Sequence, residues 1–285
     1  MLYPAPTVVL DGLKFPEGPR WHDGRLWFSD MHARRVMTLD PDGQTSVICE
    51  VPNKPSGLGF LEDGRLLVVS MADHRLLVLD RDLGLREVAD ISPFVGGDAN
   101  DMVTDALGRS YIGNFGFDFA GGEDFQATTL VRVDPNGQAC VVAEDLAFPN
   151  GAVITPDGKT LIVAETFGRR LTAFTIAEDG GLSGRRTWAD LGPATPDGIC
   201  LDEEGATWIA SPATGECLRV REGGEVLARV PMNEGRGAYA CMLGGDDRRT
   251  LYICTSEGDE ADRQAGRSRG WIEQVRVGVP GAGLP

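Results

Sequence analysis

The chain has 285 residues, 42% apolar and 25% charged, the balance of a soluble globular protein and enough for one large domain or two small ones. Lys and Arg number 27 against 43 Asp and Glu, and the net charge of −16 argues against nucleic acid or an anionic membrane as a partner, since both need a basic face. No apolar run approaches the ~18 residues of a membrane span.

The N-terminal stretch MLYPAPTVVL has neither a basic start nor a long apolar core, so no leader is expected and a cytoplasmic setting follows. The six cysteines (Cys49, Cys140, Cys200, Cys217, Cys241 and Cys254) lack metal-type spacing and lie mostly in apolar runs, which fits reduced thiols. His22, His32 and His74 each occupy a turn-like context and read as surface residues.

From Pro16 onward a pattern repeats: a small polar frame, an apolar run, an acidic or Gly turn, then a second apolar run. It reads PEGPRWHDGRLWFSD, PSGLGFLEDGRLLVVS, ANDMVTDALGRSYIGN, PNGAVITPDGKTLIVAE, PDGICLDEEGATWIAS and, in degraded form, YACMLGGDDRRTLYICT. The copies start at residues 16, 55, 99, 149, 196 and 239, so their spacing runs from 39 to 50 residues. Each interval holds a further strand-like run such as RRVMTLDPDG or HRLLVLDRD. Short strands at this period predict an all-β, six-bladed β-propeller with four-stranded antiparallel blades, a single domain over 1–285. PTVVLDG (6–12) before the first copy and GWIEQVRVGV (270–279) after the last both read as strands, and pairing them in the final blade, N-terminal segment outermost, would close the ring.

The first strand of each blade lines the axis of a propeller, so the framed residues should converge there. Blade by blade they are Glu17, Ser56, Asn100, Asn150, Asp197 and Ala240. Facing carboxylates in a narrow channel are costly to desolvate unless a cation offsets them. An all-oxygen donor set suits a hard divalent ion.

With these residues in place the sequence resembles the gluconolactonase, regucalcin and luciferin-regenerating-enzyme family of six-bladed propellers, through FPEGPRW, NDMVTDALGR, FPNGAVITPDGKTLIVAET and PDGICLD. The resemblance implies one divalent cation held by Glu17, Asn150 and Asp197, with calcium expected first and Mg²⁺, Mn²⁺, Zn²⁺ or Fe²⁺ as alternatives. It implies lactone hydrolysis, with Asp197 as general base and Asn100 orienting substrate or water. Ser56, Asp98, Phe115 and Phe117 are further candidate substrate contacts. Asp98 stands where sugar-lactone members often carry Arg, which points away from gluconolactone itself. The Phe-rich segment from Gly113 to Leu130 reads as a loop over the channel mouth and favours a less polar lactone. The expected partner is a small molecule, and the chain is expected to be a monomer or weak homodimer. A metal-dependent phosphotriester or ester hydrolase and a non-catalytic calcium-binding scaffold are the competing functions. Arg236 and the charged stretch from Ser256 to Gly270 read as solvated loops, and no GxSxG nucleophile motif is present.

Overall fold

The structure, a computed structural model, describes residues 1–284. Six four-stranded antiparallel sheets follow one another around an axis. The first blade runs outward in chain order through Pro16–His22, Arg25–Asp30, Arg35–Leu39 and Thr45–Glu50. The inner strands of the next four are Pro55–Phe60, Ala99–Thr104, Pro149–Ile154 and Ile199–Leu201. In the sixth, Gly237–Gly244 is innermost, followed by Thr250–Glu257 and Arg269–Arg276, and Thr7–Leu13 completes the sheet from the other end of the chain. The expected closure is therefore present: Thr7 faces Gln274 and Leu13 faces Gly270 across the last pair.

Apolar side chains from facing sheets fill the gaps between blades. Val153 and Ile162 of the fourth pack with Ile199 and Ile209 of the fifth, and Val103 and Tyr111 of the third with Ala152 and Leu161 of the fourth. Alternation along each strand places these residues toward the neighbouring sheet. The six cysteines are free, and Cys200 and Cys241 approach only to an Sγ–Sγ distance of 4.0 Å. Among the described residues no helix is long and apolar enough to cross a membrane.

One irregularity recurs. In five of the six blades the pairing of the two innermost strands shifts register beside the framed residue: between Glu17 and Arg20, Pro55 and Leu58, Ala99 and Met102, Pro149 and Ala152, and Ala238 and Ala240. In the other blade regular pairing begins at Ile199, just after Asp197. Such a bulge releases a residue from the ladder and re-aims its side chain. The Gly that follows the framed residue has a separate cause, because inner strands of adjacent blades nearly touch. A Cβ on Gly57 would lie 2.5 Å from the Met102 nitrogen, and one on Gly151 2.6 Å from the Asp197 oxygen.

Candidate functional site

Four of the six framed residues, Glu17, Asn100, Asn150 and Asp197, line one cavity of about 440 Å³. They form its floor. Ser56 does not line it; its buried hydroxyl lies 3.3 Å from Asn100 Oδ1 and donates to it. Ala240 is also absent from the lining and packs in the apolar core instead.

The floor is electrostatically tense. Burial raises the Glu17 carboxyl well above its ordinary value, and the negative charges of Asp197 and Asp101 raise it further. Burial, then Asp101, push Asp197 up to about 8, with the Asn150 amide and the Arg263 charge acting in the opposite direction. Two carboxyls that both resist ionisation in one buried place lack positive charge.

The guanidinium whose charge bears on Glu17, that of Arg20, is already engaged. Arg20 donates from Nη2 to Asp101 Oδ1 at 2.6 Å and from Nε to the Leu58 carbonyl at 2.8 Å, and both side chains of the ion pair are buried. It also donates to the Met102 and Pro19 carbonyls. Arg20 thereby ties the inner strands of the first three blades together. Neither partner was singled out from sequence, although both sit inside the repeat motifs, because the pair joins positions 81 residues apart.

The amides complete the floor. Asn150 Nδ2 donates to Thr166 Oγ1 at 3.2 Å, and that hydroxyl donates to the Pro196 carbonyl at 2.8 Å. The chain of donors fixes which end of the amide is nitrogen and leaves Asn150 Oδ1 to serve as an acceptor. Asn100 Nδ2 is buried with no hydrogen-bond partner among the described residues. Turning that amide over would let it donate to Ser56 and free the oxygen instead. Two tense carboxyls and a fixed amide oxygen fit a hard divalent cation. Among the described residues no three Asp, Glu, His or Cys gather as a metal cluster, and the floor has two acids supplemented by amides.

The wall comes from loops. Phe115 and Phe119 of the third blade and Phe148 and Phe167 of the fourth line one side. Phe115 stacks on Phe148 at 4.3 Å, and Phe148 meets Phe167 edge-on at 5.0 Å. Phe117, expected to contact substrate, does not line the cavity. It is buried behind the wall against Phe119, Phe125, Phe148 and Phe167, and Phe119 takes the exposed position. The Phe-rich segment is shorter than expected as a loop, because Ser110–Asn114 and Thr128–Val133 are strands. Asp98 lines the cavity, 4.0 Å from His74 Nε2.

Three residues read as surface or loop take other places. His32 lines the cavity edge-on to Phe15, and burial together with the Lys54 and Arg263 charges lowers it to about 4, so it is neutral near pH 7. The stretch read as a solvated loop contains the helix Glu260–Gln264, capped by the Asp259 carboxylate accepting from the Asp262 N–H at 2.9 Å. This helix carries Arg263 into the cavity lining. Asp259 three residues ahead of Asp262 was the available signal, resembling a capping box. Arg236 is committed elsewhere: it pairs with buried Glu273 and lies 3.8 Å over the Trp271 ring.

Fold and floor together define a six-bladed propeller with an acid-and-amide pocket lined from four of its inner-strand repeats. The chain belongs to the SMP-30/gluconolactonase/LRE-like family, which matches residues 15–257. It is 28% identical to pentonolactonase XacC of Haloferax volcanii, over 96% of this chain and 94% of that protein. It is 30% identical to a 6-deoxy-6-sulfogluconolactonase of Pseudomonas putida, over 94% and 93% of the two chains. The solved structure of a calcium-binding protein, regucalcin, from Agrobacterium tumefaciens superposes with a TM-score of 0.82 at 24% identity, covering 100% and 98% of the chains. Two relatives named as lactonases support lactone hydrolysis as the reaction class.

Proposed function

We propose that the chain is a divalent-cation-dependent lactonase whose cation is held by Glu17, Asn150 and Asp197 on the cavity floor. The observation that carries this reading is the pair of buried carboxyls, Glu17 and Asp197, both displaced upward although Arg20 and Arg263 bear on them. A divalent ion bound there would polarise the lactone carbonyl and acidify a nearby water. Calcium suits the all-oxygen set best.

The chain's own groups do the rest. Asp197 takes a proton from the attacking water as the water oxygen bonds to the carbonyl carbon. It returns that proton to the ring oxygen as the acyl C–O bond breaks, leaving a hydroxy acid. Asn100, with one amide end lacking a partner among the described residues, orients the lactone. Phe115, Phe119, Phe148 and Phe167 exclude water and favour a lactone with an apolar substituent over a bare aldonolactone.

The test is proton release from a panel of aldonolactones and alkyl- or phenyl-substituted lactones. Chelated protein is compared with protein given back Ca²⁺, Mg²⁺, Mn²⁺, Zn²⁺ or Fe²⁺, with Asp197→Asn as control. Cation-restored turnover absent from a folded Asp197→Asn supports the proposal. Silence across the panel, or turnover indifferent to chelation, overturns it.

A further inference from the structure

The cavity wall is polarised around the ring of blades. Four of its phenylalanines, Phe115, Phe119, Phe148 and Phe167, belong to the third and fourth blades, while Phe15 and Tyr239 lie on the side of the first and sixth. The fixed cations come from the other side, Lys54 entering the second blade and Arg263 after the second strand of the sixth, with neutral His32 of the first between them. Arg263 is a built feature of this wall. Its guanidinium lies 4.7 Å over the Phe15 ring and 4.9 Å over the Tyr239 ring, and it donates to Tyr239 Oη and the Gly258 carbonyl. Contact with two rings and these hydrogen bonds hold in place a group that recognises carboxylates by geometry as well as charge. Three side chains thus bring cationic or polar chemistry to the side of the first, second and sixth blades, across from the four phenylalanines, with Asp98 the acid of the third.

We propose that Arg263, assisted by Lys54, is an anion-recognition point that makes the preferred substrate a lactone bearing an ionised group, such as a carboxylate, on an apolar skeleton. The skeleton rests on Phe115, Phe119, Phe148 and Phe167 while the lactone carbonyl faces the floor. This specificity rests on the lactonase reading, but the anion point can be tested without turnover.

Two arms separate the claims. In the binding arm, phenylmethanesulfonate and neutral phenylmethanesulfonamide are titrated calorimetrically into the protein with its divalent cation present. The sulfonate is a poor metal ligand, so its preference reports the wall. We expect it to bind at least about tenfold more tightly than the sulfonamide, as one charge-assisted contact provides. Arg263→Gln should remove that preference and Arg263→Lys keep part of it. Equal affinity for the two probes, or equal loss of both in Arg263→Gln, overturns the proposal. If Arg263→Gln does not fold, Lys54→Met gives the same reading with a smaller loss. In the turnover arm, 5-oxotetrahydrofuran-2-carboxylate is compared with its carboxamide. Arg263→Gln should raise KM for the carboxylate alone, whereas a merely structural role would lower both rates together and contradict the assignment. Arg263-dependent sulfonate binding without any lactone turnover would uphold the anion point and reject the lactonase reading.

Discussion

The floor of the cavity is made of strand residues and its wall of loop residues. The floor positions belong to the repeat, Glu17, Asn100 and Asn150 each beside a bulge and Asp197 just ahead of its inner strand, so all four are held by the ring itself. The wall residues obey no period. Phe119 lies in a loop of the third blade and Arg263 on a five-residue helix of the sixth. A floor built from the repeat can carry shared chemistry while the loops vary independently, which is how one fold serves many substrates.

The comparison predicts that floor substitutions act on kcat or on folding and wall substitutions on substrate choice. The largest effect should come from Asp197→Asn, which removes the general base and lowers kcat about 10²–10⁴-fold. Proton release measures it, and an unchanged circular dichroism spectrum separates it from misfolding. A drop confined to KM would place Asp197 outside the chemistry.

Arg20→Met comes next, and its effect is on stability. It leaves buried Asp101 without its partner and should cost about 3–5 kcal/mol, read as a lowered denaturation midpoint. A midpoint within experimental scatter of the parent would mean that the three inner strands do not depend on this pair.

The floor also sets a pH dependence. Glu17 and Asp197 are raised in the fold, so the folded chain holds protons that the unfolded chain has released. For Asp197 this stabilising contribution is complete below its ordinary value of 3.8 and is lost as pH rises through about 8. Chelated protein should therefore melt at a lower temperature at about pH 8.5 than at about pH 6, and added divalent cation should shrink the difference. Melting that is flat with pH under chelation would remove the electrostatic basis of the floor.

The smallest effect belongs to the wall. Phe119, 39% exposed, should contribute about 1 kcal/mol to an apolar substituent. Phe119→Ser should lower kcat/KM about fivefold for a phenyl-substituted lactone and leave a methyl-substituted one nearly unchanged.

Legibility in the sequence follows the same division. The repeat spacing revealed six blades, and the strand-like ends at 6–12 and 270–279 revealed their closure, because both depend on local pattern. That Glu17, Asn100, Asn150 and Asp197 meet at one cavity was legible for the same reason, whereas Ser56 turns its hydroxyl to Asn100 and Ala240 packs in the core. Arg20 with Asp101 was not, since a contact across 81 residues leaves no local trace. Phe117 and Phe119 are two residues apart in an irregular loop, where alternation does not say which ring faces the cavity. Arg263 lay in a charged stretch whose composition suggests solvent, and only tertiary packing against Phe15 and Tyr239 brings it inward.

The most direct test of the central claim is a calorimetric titration of Ca²⁺ into stripped protein at about pH 7.5, in two buffers of different ionisation enthalpy. The account predicts one cation per chain, bound with proton release as the floor carboxyls ionise, and at least about tenfold weaker binding in Glu17→Gln. No binding, or equal affinity in Glu17→Gln, would contradict a floor built to hold a cation.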